Sequence, residues 1–153
     1  MPLLNIQTGL ESPQLISFLD ARARELGAKL IVRTVDEAIA RGTCEPPTAG
    51  ISRYKLQLPV LLNAIEEFQF DCAIGGARRD EESARAKERF FSFRDSYGRW
   101  DPKNQHPEVW NLYNGKINPG ENLRVFPLSN WTRQDVETYI AKEGLSFAGN
   151  WHN

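Results

Sequence analysis

The sequence predicts an α/β fold in which a parallel sheet is flanked by helices. Short apolar segments alternate along the chain with longer segments that have helical periodicity. The short segments are continuously apolar, which is typical of strands that are buried on both faces. In such sheets, ligands bind beyond the carboxyl ends of the strands, so the loops that follow strands are the first candidates for a site.

Two strands and two helices are expected in the first half of the chain. Ser12 suits a helix N-cap, Pro13 suits the first helical position, and Gly27 suits the position after the last turn. Pro59 favours a late start or a kink in the second helix, because proline lacks the amide hydrogen. The expected elements are a strand at 3–6, a helix at 12–27, a strand at 29–32, a loop at 41–50 and a helix at 54–68.

The second half is expected to add two strands and two helices. A strand at 71–74 ends in two glycines, and Asp80 can cap a helix whose apolar face includes Ala86, Phe90 and Phe93. A strand at 124–126 precedes a helix with a capping box of Thr132 and Asp135, and Gly144 closes that helix. Residues 96–122 lack periodicity, and a loop this long is often functional or bound to a partner.

Composition limits the function classes. The 153 residues suit one domain, and 19 basic against 20 acidic residues give a net charge of -1, which provides no general attraction to nucleic acid or to a membrane. No apolar stretch is long enough for a membrane span and no signal peptide is recognisable, so a cytoplasmic location is expected. Cys72 is expected to be a core thiol and Cys44 lies in a polar loop; neither forms a metal-binding pattern.

Three loops that follow strands are candidates to share one crevice: 7–9, 75–79 and 127–131. Gly75 and Gly76 allow close approach of the backbone to a ligand and unusual φ angles, and the expected helix after them would attract an anion. Arg78 and Arg79 add forked donors that suit tetrahedral oxyanions. By spacing alone, a tight turn with two solvated arginines is an equally good interpretation.

Other conspicuous side chains have ordinary explanations. A solvated helical face is favoured for Arg89 and Arg94, while Arg85 is left open. For four aromatic residues, a small satellite core or a partner contact is favoured over stacking on a nucleobase; they are Trp100, Trp110, Tyr113 and Trp131. Neither of the two histidines, His106 and His152, has a recognisable partner.

Three segments of the second half resemble one enzyme family. They are Gly75-Gly76-Ala77-Arg78-Arg79-Asp80-Glu81-Glu82 with its continuation to Asp95, Arg99-Trp100-Asp101-Pro102-Lys103-Asn104-Gln105, and Arg124-Val125-Phe126-Pro127-Leu128-Ser129-Asn130-Trp131-Thr132. Together they look like the small, adenylyl-transferring subunit of bacterial heterodimeric sulfate adenylyltransferase. The resemblance implies an adenine nucleotide alpha hydrolase-like fold, which phosphoadenylyl-sulfate reductases share. It assigns 1–145 to a partial domain of that kind and 146–153 to a divergent tail.

The resemblance also implies a reaction, in which ATP and sulfate give adenylyl sulfate and pyrophosphate. ATP with Mg²⁺ would be the substrate complex, no resident metal or redox cofactor is implied, and the partner would be a GTPase large subunit. The implied catalytic residues are Arg78 and Arg79. The implied nucleotide- and sulfate-binding residues are Thr8, Gly9, Gly75, Gly76 and Arg85.

The sequence departs from the family at several places. A Ser-Gly-Gly-Lys-Asp-Ser-like pyrophosphate loop is not present, Gln7 replaces an acidic residue, and Gln57-Leu58 stands near the usual Lys-Thr pair. We therefore expect this chain to be inactive or impaired. One alternative is a non-catalytic remnant that binds a partner or itself through residues 96–122. A weaker alternative is a phosphoadenylyl-sulfate reductase-like protein, which needs a C-terminal cysteine that does not follow Cys72.

Overall fold

The computed structural model describes residues 1–47, 52–103, 105 and 107–146, and it contains two compact units. The first unit is built from residues 1–68 and the second from residues 69–145. Each unit has its own small sheet with parallel strands and helices beside them, so the expected α/β class is confirmed. The expected divergent tail covers 146–153, and its residues after 146 lie outside the described residues.

The first unit is a strand–helix–strand unit followed by two more helices. Its two strands are parallel, with Leu3 opposite Leu30 and Gln7 opposite Thr34. A short 3₁₀ turn at Arg53–Leu56 leads into the last helix. The elements are β1 (Leu3–Gln7), α1 (Pro13–Glu25), β2 (Leu30–Thr34), α2 (Val35–Ala40) and α3 (Gln57–Phe68).

Local signals fix the ends of the predicted helices in this unit. The Ser12 hydroxyl accepts a hydrogen bond from the Leu15 amide at 3.2 Å, and Gly27 has a φ of +59° just after α1, as expected. Helix α3 begins at Gln57, so Pro59 lies in its first turn, where a missing amide hydrogen costs little. The late start of this helix is confirmed.

Helix α2 is an addition to the prediction. The Thr34 hydroxyl accepts from the Glu37 amide at 3.1 Å, so a local cap signal was present in the sequence. Cys44 lies in the predicted loop, just after α2, but its side chain is only 6% exposed because the helix helps to bury it. The residues of this core are Val35, Ala38, Cys44 and Val60, with Ile6, Ile39 and Leu56 packed against them.

The second unit has a mixed sheet and one long helix. Its strand order is β3-β5-β4, in which β3 and β5 are parallel and β4 and β5 are antiparallel. Short 3₁₀ turns occur at Ser83–Arg85 and Val109–Asn111. The other elements are β3 (Cys72–Ile74), β4 (Phe91–Arg94), β5 (Asn122–Val125) and α4 (Arg133–Glu143).

Two expectations for the second unit are wrong. The helix predicted from Asp80 is replaced by a 3₁₀ turn and by β4, because Phe91–Arg94 alternates apolar and polar residues and pairs with β5. Cys72 is exposed and not a core thiol. Its partial burial, with a smaller contribution from the neighbouring charge of Asp71, raises the pKa of the Cys72 thiol.

The last helix agrees with the prediction. The Thr132 hydroxyl accepts from the Asp135 amide, the Asp135 carboxylate accepts from the Thr132 amide at 2.8 Å, and Gly144 ends the helix with a φ of +60°. Among the described residues, no helix has the length and apolar character to cross a membrane.

Candidate functional site

The loop after β1 contains two of the predicted binding residues, Thr8 and Gly9. Thr8 is fully buried, and its amide and hydroxyl both donate to the Glu11 carboxylate at 2.8 Å; the Gly9 amide donates to the same carboxylate at 3.0 Å. Although its slight burial acts in the opposite direction, these donors lower the pKa of Glu11. The loop is therefore a pocket of donors that already holds an anion, the side chain of Glu11.

Arg53 fixes the other side of this loop. Its Nε donates to the Thr8 carbonyl at 2.6 Å, and its Nη2 contacts Asp36 at 2.6 Å. Gly9 has a φ of +82°, which favours glycine there. These contacts lie within the first unit, and they hold Thr8 and Gly9 in one conformation.

The loop after β3 contains Gly75 and Gly76, which have different requirements. A Cβ atom on Gly75 would lie 3.3 Å from Cε1 of Phe126, so close packing explains this glycine. A Cβ atom on Gly76 would meet nothing within 4 Å. Neither has a positive φ, so the expected need for unusual φ angles is wrong, while the open space beside Gly76 leaves its backbone approachable.

Arg78 and Arg79 follow directly, and both guanidinium groups make protein contacts. Arg78 has a side chain that is only 9% exposed; its Nε contacts Asp80 at 2.9 Å and its Nη1 contacts Glu81 at 3.1 Å. Arg79 donates from Nε to the carbonyl of Glu88 at 2.7 Å. Two carboxylates thus neutralise Arg78, whereas Arg79 bonds to an uncharged carbonyl and keeps its charge.

The loop after β5 lies against the loop after β3. The Arg79 amide donates to the Ser129 carbonyl at 3.1 Å, and the Ser129 hydroxyl contacts the Glu88 carbonyl at 3.5 Å. Asp80 accepts from the Arg133 amide at 2.8 Å, so this carboxylate caps α4 and not the helix predicted to follow it. Two of the three predicted loops therefore meet within the second unit, and the third belongs to the first unit.

Glu88 is the centre of a buried ionic cluster beside these loops. Its side chain is 7% exposed, and its carboxylate contacts Arg85 at 3.3 Å, Ser92 at 3.3 Å and the Nη2 of Arg94. Arg85, the last of the predicted binding residues, therefore lies near the Arg79 loop, because Glu88 accepts from Arg85 through its carboxylate and from Arg79 through its carbonyl. Since Glu88 serves two arginines, its single charge cannot neutralise both.

The sheet itself adds a second half-buried arginine, Arg124, beside Arg94. Ser92 pairs with Arg124 and Arg94 pairs with Asn122 across β4 and β5, which places all four side chains on one face. Burial, partly offset by Glu88, lowers the pKa of Arg94. Burial and then the charge of Arg94 lower the pKa of Arg124. Both shifts indicate cations that are partly removed from water.

A cavity of about 560 Å³ opens next to this face. Arg94, Trp100, Gln105 and Lys116 are among its lining residues, and the guanidinium of Arg94 stacks over the Trp100 ring at 5.5 Å. Arg94 Nε, Trp100 Nε1 and Gln105 Oε1 are buried without a hydrogen-bond partner in the described part of the chain. The cavity wall therefore offers polar atoms that the protein itself leaves unused.

The remaining aromatic residues divide into two groups. Trp131 packs edge-on against Tyr139 at 5.4 Å, and Tyr113 stacks on Phe91 at 5.2 Å, as expected for small satellite cores. Trp110 is 86% exposed, so it belongs to no core. His106 and His152 lie outside the described residues.

Sequence reasoning missed Arg94 and Arg124. A solvated helical face was expected for Arg94, but its side chain is 16% exposed and lies on a strand. The signal was the alternation of Phe91, Ser92, Phe93 and Arg94, which has the period of a strand and not of a helix. Arg124 had no local signal, because its burial depends on the neighbouring strands.

Comparison with known protein families identifies the family of the chain. The family model of the phosphoadenosine phosphosulfate reductase domain matches residues 1–149. The chain belongs to this family. Among the described residues, no group of three or more His, Cys, Asp or Glu side chains could hold a metal ion.

Within the phosphoadenosine phosphosulfate reductase domain family, curated relatives bear the name sulfate adenylyltransferase subunit 2. The relative from Mycobacterium sp. (strain KMS) is 50% identical over 151 residues, which cover 99% of this chain and 48% of the relative. The relative from Acinetobacter baumannii (strain AYE) is 51% identical over 146 residues, and the one from Methylococcus capsulatus is 50% identical over the same length. The chain thus spans about half the length of the curated relatives it matches.

Proposed function

We propose that the chain takes part in adenylyl transfer from ATP to sulfate. A sulfate oxygen attacks the α-phosphorus in line; the new P–O bond forms as the bond to the bridging oxygen breaks, and pyrophosphate leaves. No covalent enzyme intermediate is required, so the protein contributes positioning and charge neutralisation. The observation that carries the proposal is the identity of about 50% with relatives named sulfate adenylyltransferase subunit 2 over 94–99% of the chain.

The contacts in the second unit support specific roles. Gly76 leaves open space beside the backbone, and Arg79 retains its charge because its Nε bonds to a neutral carbonyl. Two of the three guanidinium nitrogens of Arg78 already contact carboxylates. Arg78 would therefore bind substrate through at most one remaining nitrogen, or after a substrate oxygen has replaced one of the carboxylates. Arg85 is 38% exposed and can reach an anion at the edge of the cluster.

In the first unit, the Thr8–Gly9 loop is proposed to bind nucleotide. The Glu11 carboxylate now accepts from three donors of the loop, and this arrangement supports the binding of an oxyanion there. A nucleotide phosphate would have to displace the Glu11 carboxylate. Magnesium would enter with ATP as part of the substrate and not as a resident ion.

We also propose that the subunit works with a GTPase large subunit whose GTP hydrolysis drives the unfavourable step. No Ser-Gly-Gly-Lys-Asp-Ser-like segment occurs in these 153 residues. The 153-residue chain is therefore expected to be much slower than a complete relative, because the main cradle for the pyrophosphate is lacking.

The test is an assay of sulfate-dependent pyrophosphate release by the purified chain with the GTPase subunit, ATP, GTP and Mg²⁺. We expect slow release that depends on sulfate and that falls at least about tenfold in Arg79→Ala. Arg24→Ala, which alters an exposed arginine of α1, is the matched control and should have the rate of the unaltered chain.

Calorimetric titration with ATP provides the second readout of this proposal. Saturable ATP binding without turnover would support the nucleotide site, and it would attribute the lack of activity to the missing phosphate loop. The absence of both pyrophosphate release and saturable ATP binding would refute the proposed function for this chain.

A second candidate function, partner binding without catalysis, is supported by Trp110. This side chain is 86% exposed, its φ of +54° is rare for a bulky residue, and its neighbour Leu112 is 71% exposed. Aromatic residues of this kind are frequent anchors of protein interfaces. Trp110→Ser should abolish co-purification with the GTPase subunit, while Tyr54→Ser, at an exposed tyrosine of the first unit, should leave it intact. Equal co-purification of both variants would eliminate this surface.

A further inference from the structure

The buried cluster around Glu88 has more positive than negative charge. Arg85 and Arg94 both pair with Glu88, and Arg124 lies close enough for the charges of Arg94 and Glu88 to affect it. In the described part of the chain, no other carboxylate pairs with any of these three arginines. Three cations therefore share one anion, and two of them, Arg94 and Arg124, are partly removed from water.

The same cluster has hydrogen-bond donors without acceptors. Nη2 of Arg124 and Nε of Arg94 are buried, and neither has a partner among the described residues. Arg124 makes only a long contact, 3.4 Å from its Nε to Asn122. A buried donor without a partner is costly, and a buried charged one is more so, so such groups in a native protein call for an acceptor.

An acceptor can approach the cluster from the cavity on the side of Arg94. Arg94 lines the cavity of about 560 Å³, a size that is ordinary for a small-ligand site. Lys116 lines it as well, and its ammonium group makes no hydrogen bond or ion pair in the part of the chain that the structure describes. The three acidic residues of the wall are already engaged. Asp95 accepts from Arg99, Asp101 accepts from the Lys103 amide, and Glu121 accepts from Asn118.

We propose that Arg94 and Arg124 form a binding subsite for a tetrahedral oxyanion, with Glu88 as the carboxylate that positions Arg94. An oxyanion would supply the missing negative charge and would accept from donors that now lack a partner. The assignment of sulfate to the subsite rests on the proposed function, in which sulfate is the attacking substrate. A phosphate group of a nucleotide has the same chemistry and is the other source of such an anion.

The Arg78 loop is less suited to this task. Asp80 and Glu81 both contact Arg78, so that site holds two carboxylates for one buried guanidinium. At Arg78 an added dianion would meet two carboxylates, whereas Arg94 and Arg124 have one carboxylate, Glu88, beside them.

The test uses the complete chain and inorganic sulfate without ATP or GTPase. Sulfate is titrated against the chain by calorimetry at constant ionic strength, with chloride as the balancing anion. Tryptophan emission is recorded in parallel, since Arg94 stacks on Trp100. We expect saturable binding and a change in emission that disappears in Trp100→Phe. A second arm uses ATP without Mg²⁺, with adenosine as the control that lacks phosphate.

Two variants and one control decide the result. Arg124→Met should weaken oxyanion binding at least about tenfold, and Arg94→Lys, which keeps the charge but not the fork, should weaken it several-fold. Arg24→Gln removes an arginine of α1 that does not line the cavity, is 75% exposed and pairs with Asp20, and it should change affinity less than about twofold. Thermal unfolding without sulfate checks that each variant is folded.

The outcomes separate this proposal from the proposed function. Loss of sulfate binding in Arg124→Met and Arg94→Lys supports a sulfate subsite even if the chain releases no pyrophosphate. Loss of ATP binding alone in these variants supports an oxyanion subsite that takes a nucleotide phosphate. The proposal fails if the unaltered chain binds neither anion saturably, or if the folded variants bind as tightly as Arg24→Gln.

Discussion

Two arginine clusters in the second unit differ in how their charge is balanced. Arg78, in the loop that carries the recognisable motif, is held between Asp80 and Glu81, both of which are about one-third exposed. Arg94 and Arg124 lie on the face of a sheet, and the only carboxylate that joins this group among the described residues is Glu88. Arg78 is therefore electrostatically satisfied, whereas the sheet cluster is not.

This difference separates two uses of arginine. A buried arginine with two carboxylates fixes the shape of a loop, because its hydrogen bonds and charge are provided for by its neighbours in the chain. A buried arginine with a shared carboxylate keeps binding capacity for an external anion. Position in a motif thus indicates where a site lies, while charge balance indicates which side chain is available to a ligand.

The largest expected effect comes from removal of the shared carboxylate. Glu88→Gln would leave Arg94 buried without its counter-charge, and we expect a loss of about 3–5 kcal/mol in the free energy of unfolding. Urea denaturation followed by circular dichroism measures this loss. Sulfate should restore more stability to the variant than to the unaltered chain, since it would replace the lost negative charge.

Asp95→Asn is the control for this prediction. It removes a carboxylate that also pairs with an arginine, but one that lies at the surface, so its effect should be small. Equal stability losses in Glu88→Gln and Asp95→Asn would contradict the distinction between the buried cluster and the exposed pair.

A smaller effect is expected at the balanced cluster. Arg78→Met would leave Asp80 and Glu81 unpaired, but both reach solvent, so we expect a loss of about 2 kcal/mol. Sulfate affinity, measured by calorimetry, should stay within about twofold, while pyrophosphate release should fall if the loop positions the nucleotide. A parallel loss of sulfate affinity in this variant would mean that both clusters bind the same anion.

The local elements of the fold could be predicted because their signals lie within a few residues. Ser12 and Thr132 cap helices with their own neighbours, and the glycines that follow α1 and α4 have positive φ. Strand β4 could not be recognised as easily, because it is stabilised by pairing with β5 about thirty residues later. The helix expected there had adequate local propensity, and the pairing overrode it.

The candidate site was predictable to the same extent. The Gly75–Arg79 segment was located correctly next to the loop after β5, since parallel neighbours β3 and β5 end at the same edge. The importance of Arg124 was not visible, because a lone arginine in a strand pattern says nothing about which charges will surround it. Only the register that sets Arg124 beside Ser92 reveals the imbalance.

The two glycines permit a third test within the motif loop. In Gly75→Ala the new Cβ would lie 3.3 Å from the buried ring of Phe126, so we expect a loss of about 1 kcal/mol in stability. Gly76→Ala meets nothing within 4 Å and should leave stability unchanged. If the loop receives a nucleotide, Gly76→Ala should weaken ATP binding measured by calorimetry; unchanged binding would reduce the loop to a structural turn.

The smallest effect on stability is expected at the carboxylate of Asp135, which is exposed to solvent. Asp135 has a lowered pKa chiefly because the amide of Thr132, and then its hydroxyl, donate to the ionised carboxylate. The ionised form is therefore favoured in the folded chain. Its contribution to stability is present above the ordinary value of 3.8 and is lost as the pH falls through the lowered value.

Asp135→Asn keeps an acceptor but removes this charge, so the variant should be slightly less stable at pH 7 and at pH 5. The difference from the unaltered chain should narrow below about pH 4. Urea denaturation at several pH values measures the difference, and NMR titration of the Asp135 carboxyl reports its pKa directly. A titration at or above 3.8 would show that the capping hydrogen bonds do not favour the charge. In that case the solvent exposure of Asp135 would offset its hydrogen bonds, and the stability contributed by the Glu88 cluster would depend on burial.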